Sequence, residues 1–320
     1  MQVHYNIDQL PRFKNAVITI GTFDGVHMGH RQIIDKLKQE AAANDGETVI
    51  ITFHPHPRKV VSSAILGIRL INTLHERILL LDKLGIDHLV VVPFTDMFAN
   101  QSAEEYIRDF LVAKFNPHTI IIGYDHRFGR DRLGDYRLLE KLAATYSYKL
   151  KEIPKHILND ISISSTNIRE AILHADTETA NELLGYHFFF TGKVVHGDKL
   201  GRELGYPTAN LAIEDEEKIL PGNGIYAVYA DVMELVSANG VPQLPETPAL
   251  KGMMSIGFRP TVNGTKRVIE VNLFEFNEDI YDRYVTVYIK KYLRDEVKFE
   301  SLAHLVQQID QDKLDSLAVL

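Results

Sequence analysis

The sequence predicts an α/β domain built on a parallel sheet, followed by a small antiparallel β domain and a C-terminal helix. In the first half, short apolar runs alternate with amphipathic segments, as strands and helices do around a parallel sheet. After about residue 185 the runs are shorter, alternate between apolar and polar residues, and are separated by Pro and Gly. That pattern is typical of an antiparallel barrel or sandwich. Because 320 residues suffice for two domains, we predict one over 1–185 and one over 186–320.

Five apolar runs of the first half are predicted strands, at 16–20, 47–53, 88–92, 119–123 and 148–153. Helices are predicted between them. Two helices begin with a capping box, in which Glu follows a Ser or Thr by three residues, at Thr73 and Ser102. Ligands of parallel sheets lie beyond the carboxyl ends of the strands. The polar residues that follow these strands are therefore the first candidates for a site.

The second half is predicted to be mostly strand. The strands are expected at 192–195, 225–232, 268–276 and 284–292. A Pro-rich stretch, 237–252, is predicted to be an exposed loop. A final helix is predicted from about Ser301, where apolar residues recur at helical spacing.

The composition excludes several classes of protein. The net charge is −8, and acidic residues outnumber basic ones on both sides of residue 186, so we expect no nucleic-acid partner. The lack of cysteine excludes disulfides, zinc–thiolate sites and thiol nucleophiles. The chain has no apolar run of the ~18 residues that a membrane span needs, and its start does not resemble a signal peptide. We therefore predict a cytoplasmic protein without membrane contact.

A glycine-rich string follows the first predicted strand. Residues 21–30 read Gly-Thr-Phe-Asp-Gly-Val-His-Met-Gly-His. The glycines allow a tight turn and a close approach to a ligand. His27 and His30 share one face at the start of a helix, where backbone N–H groups and the helix dipole attract phosphate. The alternative is a glycine-rich turn with two surface histidines.

Three other polar segments lie in or after the predicted sheet. Residues 53–57 and 123–129 can line an adenosine or acceptor pocket, or can simply be a Pro-containing loop and a turn. Residues 163–169 place three hydroxyl side chains before Arg169, at the start of a helix. That helix start can bind a triphosphate, although helix capping alone explains the hydroxyls.

A second glycine-containing loop opens the β domain. Residues 196–211 hold glycines at every fourth position from 197 to 205, together with Lys199 and Arg202. This loop can fold over phosphates. Thr208 and Asn210 offer neutral oxygen ligands, which suit Mg²⁺. The alternative is a charged surface loop.

Two charged residues further along have open roles. Glu270 lies in an alternating strand, where a solvent-facing position is the ordinary interpretation. Arg294, with Asp295 and Glu296, follows the last strand and can hold an aromatic ligand or be a salt-bridged surface residue.

Taken in order, these motifs resemble the bacterial bifunctional riboflavin kinase/FAD synthetase (FMN adenylyltransferase) family. Residues 21–30 carry the H-x-G-H signature of nucleotidyltransferases, and 163–169 resemble the I-S-S-T-x-x-R element that closes adenylyltransferase sites. Pro-Thr-Ala-Asn at 207–210 and the strings at 224–228, 256–261 and 293–296 match the kinase half. The resemblance implies a Rossmann-like nucleotidyltransferase domain and a six-stranded antiparallel β-barrel. It also implies two reactions with ATP: riboflavin to FMN in the barrel, and FMN to FAD in the first domain.

The resemblance also implies roles for single residues. Glu270 would be the catalytic base of the kinase, and Thr208 and Asn210 would hold Mg²⁺. His27, His30 and Arg169 would act on the triphosphate in adenylyl transfer. ATP is then the co-substrate, FMN and FAD are the flavin products, and no protein partner is implied. The predicted nucleotide- or substrate-binding residues are Gly21, Phe23, Asp24, Gly25, Gly29, His56, Asp125, Arg127, Ser164, Ser165, Thr166, Gly197, Lys199, Gly201, Gly205 and Arg294.

The chain departs from the family pattern at a few positions. Thr22 stands where Asn is frequent, His126 replaces a usual Phe, and Asn272 a usual His. The stretch 237–252 is also longer than the family leads us to expect. Two other functions stay open at this point. The first domain can adenylylate another phosphorylated acceptor beside a non-catalytic flavin-binding β domain, or the barrel can only sense flavin.

Overall fold

The computed structural model describes residues 1–61, 69–123, 126–153, 163–197, 200–233, 248–261 and 264–320. The chain forms two compact units. The first comprises the described residues of Met1–Ile68 and Leu74–Ser164, and the second those of Arg69–Thr73 and Ser165–Leu320. The short segment Arg69–Thr73 therefore belongs with the second unit, although it lies far from the rest of that unit in sequence.

The first unit contains a parallel sheet of six strands in the order β1-β4-β3-β2-β5-β6. The strands are β1 (Gln2–His4), β2 (Val17–Ile20), β3 (Thr48–His54), β4 (His88–Pro93), β5 (Thr119–Gly123) and β6 (Lys149–Ile153). The five predicted strands are confirmed. All four residues of β2 and the first six of β3 are buried, as expected for a sheet covered on both faces.

Helices connect the strands. They are α1 (Met28–Ala43), α2 (Pro57–Val61), α3 (Leu74–Lys83), α4 (Asp96–Ala99), α5 (Ala103–Glu105), α6 (Ala113–Phe115) and α7 (Tyr136–Tyr146). A π-helix, Tyr106–Val112, joins α5 to α6, and a short 3₁₀ turn covers Arg130–Arg132. The predicted capping box at Ser102 is present, with reciprocal hydrogen bonds to Glu105.

Strand β2 lies where the strand order changes direction. The chain passes from β2 through α1 to β3 on one side, whereas β5 lies on the other side. The carboxyl ends of β2 and β5 therefore form the edge at which open α/β sheets bind their ligands. The glycine-rich string follows β2 at this edge.

The second unit contains a closed antiparallel barrel of six strands in the order β10-β11-β8-β7-β12-β9. The strands are β7 (Phe189–Val195), β8 (Ala209–Ala212), β9 (Gly224–Met233), β10 (Leu250–Thr261), β11 (Gly264–Leu273) and β12 (Tyr284–Arg294). Its helices are α8 (Ser165–Leu173), α9 (Thr177–Leu184), α10 (Leu200–Glu203) and α11 (Leu302–Val319). The predicted barrel and C-terminal helix are confirmed.

The predicted loop at 237–252 is wrong over its last residues. Strand β10 begins at Leu250, so 250–252 are strand, while 237–247 lie outside the described residues. Strand β10 was not predicted from the sequence, because Gly and Pro interrupt its apolar pattern. Gly252 pairs with Leu273 on β11, and a Cβ at Gly252 would overlap the carbonyl of Asn272. Here Gly permits two strands to approach closely and does not mark a turn.

Candidate active sites

The loop between β2 and α1 brings His27 and His30 together. His27 is the N-cap of α1, and its Nδ1 accepts a hydrogen bond of 3.3 Å from the His30 backbone N–H. The two imidazole rings are stacked, with centroids 3.7 Å apart. Gly29 leaves room for this pair, because a Cβ there would lie 3.3 Å from the His27 ring. The predicted pair therefore occupies the N-terminus of a long helix.

The same loop is buried and bent. Phe23, Asp24 and Val26 are each no more than 2% exposed. Its backbone enters the left-handed region three times, with φ of 49° at Phe23, 93° at Gly25 and 37° at Val26. Positive φ is costly for Val, so neighbouring structure must hold the loop in this shape.

The environment of His30 favours the neutral form of its imidazole. Burial is the main reason that its pKa lies well below the usual value, and the neighbouring His27 and Arg77 lower it further. Among the described residues its buried Nδ1 has no hydrogen-bond partner. The imidazole can therefore offer a neutral N–H or a lone pair to a ligand.

Three other predicted residues of the first unit lie outside residues 21–30 in the sequence. His56 is buried, and its Nδ1 accepts a 3.2 Å hydrogen bond from the Arg58 backbone N–H. Arg127 is half-exposed and forms an ion pair of 3.2 Å with Asp135. Asp125 lies outside the described residues.

The I-S-S-T-x-x-R element spans the division between the units. Ser164 is the last residue of the first unit, whereas Ser165 and Thr166 form the first turn of α8 in the second. On the same helix, the Arg169 Nε–H donates a 2.7 Å hydrogen bond to the Arg69 carbonyl. The start of α8 is therefore held to the segment Arg69–Thr73.

The barrel contains an open cavity of about 260 Å³. Four of the predicted residues line it, namely Gly201, Thr208, Glu270 and Arg294. The other lining residues are Leu204, Tyr206, Ile225, Met253, Met254, Ser255, Arg259, Asn272, Glu296, Val297, Phe299, Leu305, Ile309 and Asp312. Gly197, Gly205 and Asn210 are not among them, and Lys199 lies outside the described residues.

Glu270 stands inside this cavity beside two partners. The Thr208 hydroxyl donates a 3.4 Å hydrogen bond to Glu270 Oε1, and Arg259 forms an ion pair with Glu270 Oε2. The strand register places Glu270 opposite Asn210 on β8 and Ser255 on β10. Glu270 is therefore not an ordinary solvent-facing strand residue. Sequence reasoning missed Arg259, whose only signal was its place in the string 256–261.

Thr208 and Asn210 have the chemistry that a hard cation needs. Thr208 presents its hydroxyl next to a carboxylate oxygen of Glu270. Asn210 packs against Gly197 so closely that a Cβ at Gly197 would overlap the Asn210 amide. Neutral and carboxylate oxygens side by side fit a Mg²⁺ ion that also binds substrate phosphates. No group of three or more His, Asp or Glu able to hold a metal occurs in the described part of the chain.

Arg294 links β12 to the C-terminal helix. Its guanidinium donates two hydrogen bonds, of 2.7 and 2.6 Å, to the carboxylate of Asp312 on α11. Asp312 is buried and also accepts a 2.9 Å hydrogen bond from Gln308. Arg294 also donates a 2.8 Å hydrogen bond to the backbone carbonyl of Asp295. Its carboxylate partner is the buried Asp312, so it is not a salt-bridged surface residue.

Two family models match the chain in succession. The model described as FAD synthetase matches residues 10–167, and the model described as riboflavin kinase matches residues 184–320. A protein of Escherichia coli (strain K12), described as a bifunctional riboflavin kinase/FMN adenylyltransferase, is 35% identical over 310 residues. That alignment covers 97% of this chain and 94% of the relative. The chain belongs to the bifunctional riboflavin kinase/FMN adenylyltransferase family.

Other members of the riboflavin kinase/FMN adenylyltransferase family match similarly. The relative from Bacillus subtilis (strain 168) is 34% identical over 94% of this chain and 92% of its own length. The relative from Listeria monocytogenes is 34% identical over 95% of this chain and 92% of its own length. The predicted family, its two activities and their order along the chain are confirmed. The predicted boundary after residue 185 stays a prediction.

A solved structure shares the fold over nearly the whole chain. It is described as a macrolide-efflux protein from Streptococcus pneumoniae, with a TM-score of 0.84 and 29% identity over 98% of each chain. In the present chain, none of the helices that the structure describes has the length and apolar character needed to cross a membrane.

Proposed function

We propose that the barrel cavity is the riboflavin kinase site and that the His27–His30 loop belongs to the FMN adenylyltransferase site. The observation that carries the kinase assignment is Glu270, a carboxylate inside a cavity and next to the Thr208 hydroxyl. The observation that supports the second site is the stacked His27–His30 pair at the start of α1. That start lies at the carboxyl edge of the parallel sheet.

In the kinase reaction Glu270 acts as general base. Its carboxylate accepts the proton of the ribityl 5′-hydroxyl as that oxygen attacks the γ-phosphorus of ATP. The bond from the γ-phosphorus to the bridging oxygen breaks, and ADP leaves with the electron pair. Arg259 orients the carboxylate through the ion pair. The apolar lining, with Met253, Met254 and Ile309 among its members, receives the flavin ring.

Thr208 and Asn210 would hold a Mg²⁺ ion in this reaction. The ion would neutralise charge on the ATP phosphates. The segment that would cover those phosphates contains Gly197, Gly205 and Gly201, the last of which lies in α10. Lys199, predicted to act with them, lies outside the described residues. The cytoplasmic location and the lack of other partners, both predicted from the sequence, stay predictions.

In the second reaction a phosphate oxygen of FMN attacks the α-phosphorus of a second ATP. The bond between the α-phosphorus and pyrophosphate breaks, and FAD forms without a covalent enzyme intermediate. Imidazole N–H groups of His27 and His30 stabilise the charge that develops on the phosphate oxygens. Ser165, Thr166 and Arg169 bind the triphosphate, where positioning accounts for much of the rate.

The direct test is to incubate the full chain with riboflavin, ATP and Mg²⁺ and to separate the flavins over time. We expect FMN to appear first and FAD to follow. Supplying FMN instead of riboflavin isolates the second reaction. If the chain binds riboflavin but forms no FMN, the riboflavin kinase assignment is wrong. If supplied FMN is never converted to FAD, the FMN adenylyltransferase assignment is wrong.

A further inference from the structure

A buried arginine is linked to the loop between β2 and α1, residues 21–27, which leads to the His27–His30 pair. Arg77 sits in α3 and is only 2% exposed, which makes it one of the largest fully buried side chains. Its Nε–H has no hydrogen-bond partner among the described residues. A buried guanidinium that is incompletely hydrogen-bonded costs stability, and an apolar side chain would suit such a position better. Core packing therefore does not explain Arg77.

A chain of hydrogen bonds leads from Arg77 to the loop. Its Nη1–H donates a 3.1 Å hydrogen bond to the Thr52 hydroxyl on β3. The Thr52 hydroxyl in turn donates a 3.2 Å hydrogen bond to the carbonyl of Thr22. Thr52 is completely buried, so water does not compete for either bond. Thr22 lies immediately before the segment whose backbone enters the left-handed region at Phe23.

Charge also connects Arg77 with the loop. Asp24 is 1% exposed, and its negative charge opposes the fall that burial causes in the pKa of Arg77. The positive charge of Arg77 in turn contributes to the low pKa of His30. The guanidinium thus acts both on the carboxylate of the loop and on the imidazole that the loop positions.

We propose that Arg77 is a positioning residue for adenylyl transfer, which holds the loop of Thr22 to His27 in its bent shape through Thr52 and Asp24. In this role Arg77 contacts neither ATP nor FMN. Its effect reaches the reaction through the placement of His27 and His30. The inference rests on the proposed role of that pair in the adenylyltransferase site.

The test compares Arg77→Met with Arg77→Lys in the full chain. We expect Arg77→Met to lower kcat for FMN-to-FAD conversion by about 10- to 100-fold, because a small displacement of catalytic groups has that effect. KM for ATP should change by less than about threefold, because the triphosphate ligands are untouched. Arg77→Lys keeps the charge opposite Asp24 and should recover part of the rate. Riboflavin kinase activity in the same preparation serves as the internal reference and should not change.

A second variant and a spectroscopic readout separate positioning from folding. Thr52→Val breaks the hydrogen-bond chain without removing a charge, and should also slow FAD formation while FMN formation continues. In NMR titrations the pKa of His30 should rise in Arg77→Met and stay low in Arg77→Lys. Arg108→Met, which changes a half-exposed arginine paired with Asp109, is the matched control and should leave both activities intact.

Two results would overturn the inference. One is a folded Arg77→Met protein with the wild-type kcat for FAD formation. The other is wild-type FAD formation by Thr52→Val, which decides the matter if Arg77→Met does not fold. A wild-type chain that forms no FAD at all would instead contradict the proposed function.

Discussion

At the scale of single residues, Glu270 carries the kinase assignment. From the alternating pattern alone, Glu270 was expected to face solvent, because an alternating strand does not reveal which of its faces borders a cavity. The structure places it in the barrel cavity between Thr208 and Arg259. Neither contact could be predicted from spacing, since both partners lie on other strands or loops.

Glu270→Gln keeps the shape of the side chain and removes the carboxylate that we propose as the base. We expect FMN formation from riboflavin to fall below detection, while added FMN is still converted to FAD. Separation of flavins by chromatography measures both. Glu278→Gln, at an exposed position, is the control. Normal FMN output from Glu270→Gln would exclude the assigned role.

His30→Ala is the corresponding test of the first unit. Loss of one charge-stabilising donor lowers the rate of such reactions by about 10²–10³, so FMN should accumulate from riboflavin and little FAD should form. His304→Ala, at an exposed position of α11, should behave as wild type. Unimpaired FAD output from His30→Ala would contradict the assigned role of His30.

At the scale of elements, the sequence predicted strands well where β-branched residues are continuous and poorly where Gly or Pro interrupts them. Strand β5 is apolar from Thr119 to Ile122, and its bounds were predicted correctly. Strand β10 and the short β8 were missed, because Gly252, Pro260 and Pro207 resemble turn residues. In a closed barrel such residues are tolerated where strands approach closely or where a strand begins.

His30, in the first turn of α1, makes stability depend on pH. The pKa of His30 is lowered in the folded chain, whereas an unfolded His titrates near 6.5. Below about pH 6.5 the unfolded chain therefore binds more protons, and the free energy of unfolding falls as the pH falls. Urea unfolding at pH 7.5 and 5.5 measures this difference. His30→Gln should make it smaller but not remove it, since His4, His75 and His187 also have lowered pKa values; an unchanged difference would contradict the prediction.

The ion pair between Arg294 and Asp312 joins α11 to the barrel. Asp312→Ala leaves a largely buried guanidinium without its partner, which should lower the free energy of unfolding by about 3 kcal/mol. KM for riboflavin should also rise, because both residues line the cavity. Asp315→Ala changes an exposed carboxylate on the same helix and should leave both quantities nearly unchanged. Equal effects of the two substitutions would show that the pair does not anchor the helix.

At the scale of the whole molecule, the order of the two domains was predicted from the sequence, whereas the place of Arg69–Thr73 was not. The order of a parallel-sheet domain and a barrel followed from the change in sequence pattern near residue 185. The place of Arg69–Thr73 in the second unit did not, because it depends on contacts far apart in sequence. Leu70 donates a 2.6 Å backbone hydrogen bond to Glu217 and accepts one of 2.9 Å from Ile219. No local sequence pattern predicts that Leu70 pairs with residues about 150 positions later in the chain.

The central claim is that one chain carries two separate chemical sites. Mixing the Glu270→Gln and His30→Ala proteins with riboflavin, ATP and Mg²⁺ tests it most directly. Each variant alone should form little or no FAD, whereas the mixture should form it, because His30→Ala supplies the FMN that Glu270→Gln converts. A mixture that forms no more FAD than either variant alone would contradict the claim.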